Sequence, residues 1–178
     1  MGAGVNILQR IFQNQNCMKK IKKSKRREIR EMALQLLYAR ELDPGGFERL
    51  SEEYLLKVDN PDDREFFTNL VSKALLHRED IDKEIEKKVS NWEFDRIAML
   101  DRLLLRLGIC EFLYFPDIPP KVTINEIIEI AKEFSTESSG KFINGVLDKY
   151  LIEATRLGTI PKMGRGLIDS TLGRPKKN

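Results

Sequence analysis

Apolar residues recur along this chain at intervals of three and four, the spacing that collects them on one side of an α-helix. Over residues 25–42, Ile29, Ala33, Leu36 and Leu37 share a side and predict a core-facing stripe. Leu34 and Tyr38 fall together on another side, which reads either as ordinary packing or as the start of a partner surface. Asp43-Pro44-Gly45-Gly46 ends the helix, because proline has no N–H to continue it. A second helix is expected over 47–58 from Leu50, Tyr54, Leu55 and Val58. After the turn at Asp59-Asn60-Pro61, Asp62 or Asp63 can cap a long third helix, with Phe67, Leu70, Val71, Ala74, Ile81, Ile85 and Val89 on its buried stripe. A break is expected near residues 77–80.

Residues 95–114 are apolar around most of the circumference and predict a central helix, with Asp95, Arg102 and Arg106 as its narrow solvent-facing line. Gly108 lies inside it at a cost of about 1 kcal/mol in helix propensity, a cost that close approach of a neighbouring helix would justify. Pro116, Pro119 and Pro120 stiffen the following loop. Thr123-Ile124-Asn125-Glu126 has the form of a capping box and predicts a helix start there. Its apolar side is Ile124, Ile127, Ile128, Ala131 and Phe134. A polar loop over 135–139 precedes a last helix over 140–155, with Phe142, Ile143, Val146, Leu147, Tyr150 and Leu151 inward. No segment alternates with period two for long enough to predict a strand. The pattern therefore reads as an all-α protein, a compact bundle of six or seven helices.

The length of 178 residues suits one domain with enough core to fold unaided, and the content of 41% hydrophobic and 33% charged residues is that of a soluble globular chain. No apolar run reaches the ~18 residues of a bilayer span, so no membrane association is expected, and the cysteine usage fits a reducing cytoplasm. Cys17 and Cys110 are far apart without histidine clusters, which argues against a disulfide framework or a zinc site. Cys110 reads as a small core residue. His77, the sole histidine, has no evident catalytic or metal-binding partner in the sequence.

Charge is distributed unevenly. Residues 19–30 carry eight basic side chains and one acidic, residues 31–155 carry 16 and 26, and residues 156–178 carry six and one. Lys25, Arg26, Arg27 and Arg30 stand at the start of the first helix, where the partial positive charge of the N-terminus makes cations unfavourable. Such a breach of local preference points to an external anion, and a phosphate-bearing RNA or DNA is one reading. A solvated charge run is the other. The acidic body confines any phosphate contacts to a patch near this helix.

Three stretches together resemble one known family: residues 26–38 (RREIREMALQLLY), residues 103–112 (LLLRLGICEF) and residues 121–149 (KVTINEIIEIAKEFSTESSGKFINGVLDK). They are similar to the bacterial transcription antitermination factors of the NusB family, over roughly residues 24–150. The resemblance implies an all-helical fold in two small subdomains, about 24–90 and 91–156; composition adds a flexible N-terminal extension (1–23), basic from Lys19, and a disordered basic tail (157–178), neither with a counterpart in the family. The resemblance also implies no catalytic activity and no cofactor or metal. The implied partners are boxA-type single-stranded RNA, ribosomal protein NusE and the RNA polymerase antitermination complex that transcribes ribosomal RNA operons. Whether the free protein forms a homodimer is left open.

By motif match, Arg26, Arg27 and Arg30, with Lys25 beside them, would meet RNA, assisted by Lys121, Ser138, Lys141 and Phe142. Tyr38, Asp95 and Asp101 would face NusE. Guanidinium groups suit bidentate phosphate contacts, and lysines add point charges. Phe142 either stacks on a base or belongs to the core, since its register with Val146 already places it inward. Ser138 departs from the family, where this position is often acidic. The alternatives are a protein-binding helical module without specific RNA recognition, and a relative of the helical domain fused to ribosomal RNA methyltransferases. The second lacks any glycine-rich cofactor-binding turn here.

Overall fold

The computed structural model describes residues 24–89 and 94–160. Within them the chain forms seven α-helices and no strand: α1 (Lys25–Leu42), α2 (Phe47–Leu55), α3 (Pro61–Leu76), α4 (Arg78–Lys88), α5 (Met99–Tyr114), α6 (Pro120–Phe134) and α7 (Glu137–Leu157). Three of the helices, α1, α3 and α7, begin at a side chain that satisfies a loose backbone N–H. Ser24 Oγ accepts from the Arg27 N–H, Asn60 Oδ1 from the Asp63 N–H and Thr136 Oγ1 from the Ser139 N–H. Pro61 and Pro120 occupy first helical positions, where a missing N–H costs nothing. Gly158 ends α7 at φ 66°, the left-handed conformation that favours glycine.

Helix α5 is the hub. It packs against α1, α3, α4, α6 and α7, and its residues 103–112 are buried without interruption. A helix apolar on nearly every side is stable only when enclosed, so the halves of the chain meet on it and share one core. Gly108 has the close neighbour expected of it. A β-carbon there would lie 2.9 Å from Leu147 Cδ2. Gly108 and Leu147 are both buried where α5 meets α7, so Gly108→Val should destabilise by about 1–3 kcal/mol through overpacking, read as a lowered urea midpoint with an unchanged slope.

Cys110 is buried in this core, and burial pushes its thiol far up, so it stays protonated and unreactive. Around it, Phe112 stacks on Tyr150 at 6.1 Å between ring centres and Phe66 meets Phe115 edge-on at 5.3 Å. The predicted break falls at His77, which separates α3 from α4 and stacks on Tyr114 at 4.4 Å.

Several expectations need correction. Arg106 is not on a solvent line. It is buried, donating to both Asp82 oxygens at 3.0 and 2.8 Å and to Glu41 at 3.3 Å, and so ties α5 to α4 and α1. The capping box does not form, because α6 starts three residues earlier at Pro120 and leaves Thr123 and Glu126 inside the helix. Asn60, rather than Asp62 or Asp63, caps α3. Asp95 lies in a separate 3-10 turn, Phe94–Arg96, before α5. Leu34 is wholly buried and therefore packing, not partner surface. Helix α7 reaches Leu157, and Ile160 packs on the core, so the expected disorder does not begin at 157. The expected flexible extension at 1–23, with Lys19 to Lys23 and Cys17, and the tail at 161–178 lie outside the described residues.

Candidate nucleic-acid interface

The basic entrance of α1 separates into an outer and an inner layer. Lys25 and Arg26 are exposed on the first turn. The Arg26 side chain, 44% exposed, reaches Asp63 at 3.3 Å and lays its guanidinium over the Phe66 ring at 4.4 Å. That cation–π contact orders the group without covering it. The next residue, Arg27, turns inward and donates from Nε and Nη2 to the two Glu126 oxygens at 2.9 and 3.0 Å, with Glu129 at 4.0 Å. The hydrogen bond to Glu126 is the main reason that its guanidinium holds its proton still more firmly than usual.

Arg30 lies in the interior. Its side chain is 2% exposed and forms a fork with Glu111 at 2.6 and 2.9 Å. Thr123 Oγ1 donates to the same carboxylate at 2.9 Å. Arg30 therefore cannot meet RNA from its present position, which corrects its assignment. Helical register explains why: Arg30, Ala33, Leu34 and Leu37 follow at three, four and seven residues, so they share the inward side. The premise of an unmet positive charge is likewise revised for Arg27 and Arg30. Carboxylates of α5 and α6 supply their negative partners, while Ser24 and Glu28 serve the helix terminus itself.

Two further expected RNA-binding lysines remain open. Lys121 and Lys141 are both exposed, in the first turn of α6 and near the start of α7. The α6–α7 pair is close here, since a β-carbon on Gly140 would come within 3.8 Å of Ile128 Cγ2. Lys141 is thus held beside the middle of α6, the helix whose Glu126 grips α1. Ser138 is exposed and shares a hydrogen bond with Thr136 at 2.8 Å. Phe142 is partly buried against the core.

The residues expected to face a protein partner are not alike. The Asp95 side chain is 97% exposed, with Arg102 at 3.9 Å. Tyr38 is partly buried against the core. Asp101 is buried, and its two oxygens accept from Ser135 Oγ at 2.8 Å and Ser139 Oγ at 2.9 Å. Its expected place on an open surface is corrected to a structural one, seating the α6–α7 turn on the start of α5. Glu111 and Glu126 as partners of the α1 arginines, and Thr123 as a donor to Glu111, are not evident from the sequence. The available signal is Glu111 itself, an acid in the most apolar of the described helices, which needs a buried cation to be tolerated.

No group of three or more histidine, cysteine, aspartate or glutamate side chains among the described residues is arranged to hold a metal. No helix among them is long and apolar enough to cross a membrane.

Comparison with known proteins bears on this arrangement. The family model described as the NusB family matches residues 27–151. The transcription antitermination protein NusB of Chloroherpeton thalassium is 41% identical over 146 residues, covering 81% of this chain and 69% of that protein. Its counterpart in Salinibacter ruber is 43% identical over 148 residues, covering 82% and 92%. Among solved structures, that of antitermination factors NusB and NusE in complex with double-stranded RNA superposes with a TM-score of 0.61 at 34% identity, covering 71% of this chain and 95% of that one.

Proposed function

The chain belongs to the NusB family, and from that premise we propose that it pairs with ribosomal protein NusE, binds boxA-type single-stranded RNA and supports processive transcription of ribosomal RNA operons. It is a transcription antitermination factor, not an enzyme, and its work is that of an adaptor. A factor attached to the RNA polymerase antitermination complex acts where transcription does, in the bacterial cytoplasm.

The observation that supports the RNA reading best is the set of cations left exposed once Arg27 and Arg30 have been matched by internal carboxylates. Lys25, Arg26 (with Asp63 at 3.3 Å), Lys121 and Lys141 remain exposed, at the entrance of α1, in the first turn of α6 and near the start of α7 beside the middle of α6. We assign the RNA phosphates to these four, with Arg27 as a reserve contact behind Glu126. Ser138 is placed to add a hydroxyl, and Phe142 contributes chiefly to packing. Asp95 and Tyr38 are the residues we assign to the NusE side, because Asp95 offers an open negative charge to a basic ribosomal protein.

Four single-strand phosphate contacts predict that log affinity for a boxA-type RNA falls with log salt at a slope of about −3. Arg26→Ala combined with Lys141→Ala should flatten that slope by about 1.4 and weaken binding across RNA sequences alike. Fluorescence anisotropy over a salt series, with and without NusE, reads both. A slope near zero in the unaltered protein would remove the interface. The internal pairing of Arg27 and Arg30 favours a second reading, a protein-binding module with solubilising charge. In that case RNA affinity would be negligible alone and unchanged by NusE.

A further inference from the structure

We infer that the cleft between the C-terminal parts of α4 and α7 is a second seat for an RNA backbone, occupied by nucleotides that flank those held at the entrance of α1. The inference rests on the RNA-binding reading above for the identity of its ligand. Its geometry is independent of that reading.

The cleft has a volume of about 480 Å³ and is lined by Lys87, Lys88, Lys149, Ile152, Glu153 and Arg156. Four cations and one carboxylate meet there, in a body whose residues 31–155 carry ten more acidic than basic side chains. Two of the cations are already matched. Lys88 is buried and held by Glu153 at 2.9 Å, and Lys87 bonds to Glu84. They act as fixed wall charges, and as basic last-turn residues they suit the C-terminal dipole of α4. The other two are open. Lys149 and Arg156 are exposed. The hydrogen bond from Lys88 is the main reason that the Glu153 carboxyl is held below the usual range, and Arg156 lies near enough to help hold it there.

Lys149, Ile152, Glu153 and Arg156 lie at intervals of three, four and seven residues, so they occupy one side of α7. The two open cations therefore stand about 10 Å apart along the helix, with Ile152, 55% exposed, between them. Paired positive charges flanking an apolar step suit a chain of phosphates joined by sugars and bases, which alternates in the same way. The glutamate that might have neutralised the row is the one already committed to Lys88.

Position links this cleft to the first site. Lys141 and Lys149 lie on the same helix, eight residues or about 12 Å apart, with Arg156 about 10 Å beyond. An RNA leaving Lys141 along α7 meets the cleft next. After Arg156 the sequence continues with five more basic side chains and one acidic before its end, so positive charge follows the cleft in the chain as well.

The test uses the full chain, one single-stranded RNA of about 12 nucleotides and one roughly three times that length. Lys149→Gln/Arg156→Gln should weaken the long RNA about three- to tenfold at low salt and flatten its salt slope by about 1.4, while leaving the short RNA unchanged. Equal loss for both lengths would overturn the inference, because it would mean a diffuse field and not a seat. No loss for either would also overturn it and leave the cleft to an acidic protein surface. Should the double variant show a lowered melting temperature, Lys149→Gln alone must give the same length-dependent loss in smaller measure, or the inference fails. An unaltered protein that binds neither RNA would defeat the RNA reading as a whole. One that binds both, with only the cleft variant silent, defeats the cleft alone.

Discussion

Replacing Glu111 with alanine is expected to cost about 3–5 kcal/mol of folding stability, the largest effect of any single polar substitution in this protein. The carboxylate accepts two short bonds from Arg30 and one from Thr123, all away from water. Without it, a guanidinium that is 2% exposed keeps its charge and loses its principal partner. Glu126, 3.9 Å away, is already committed to Arg27. Breaking one side of a buried pair is costly for that reason, whereas replacing both sides with apolar groups often is not. Arg30→Met combined with Glu111→Leu should therefore recover most of the loss. Urea unfolding of the two variants checks the pair of statements. A cost below about 1 kcal/mol for Glu111→Ala would mean that Arg30 swings out to solvent, reopening it as an RNA contact.

The second large effect concerns binding. Glu126→Gln should tighten RNA roughly three- to tenfold at low salt and steepen the salt slope by about 0.7, one added contact. Arg27 gives one guanidinium edge, Nε and Nη2, to Glu126 and has Nη1 4.0 Å from Glu129, so a phosphate must displace the Glu126 carboxylate and overcome its charge. Glutamine keeps one acceptor to hold α1 against α6 but removes the negative charge. Arg27→Ala in the same background should erase the gain. If Glu126→Gln instead weakens RNA, Glu126 orients Arg27 for its ligand and does not compete for it. Anisotropy titrations of the three variants separate the two roles.

Much of the fold follows from apolar spacing. The stripe from Ile29 to Leu37, the break at His77 and the enclosed helix around Leu104 are all visible as intervals of three and four, and helices pack through those positions. Gly108 was legible through its cost, which only a close neighbour such as Leu147 repays. Charged residues were harder to place, because a sequence gives their register but not their partners. Arg106 and Arg30 look solvent-directed when the usual exposure of arginine is assumed, yet Asp82, Glu41 and Glu111 arrive from 24, 65 and 81 positions away. The capping box failed for a related reason. Thr123 and Glu126 match the motif, but each is drawn to a tertiary partner, and proline at position 120 suffices to begin the helix. In the candidate site, the outer cations Lys25, Arg26, Lys121 and Lys141 were legible as charge. The internal neutralisation of Arg27 and Arg30 was not.

Helix α5 lies late in the chain, yet α1, α3 and α4 all rest on it. During synthesis on the ribosome, α1 and α3 can pack on each other, but the sides they turn to α5 stay uncovered until it emerges. The nascent protein must therefore carry exposed leucine, isoleucine and phenylalanine until Tyr114 has cleared the exit tunnel, and that interval is when it is most in need of a chaperone.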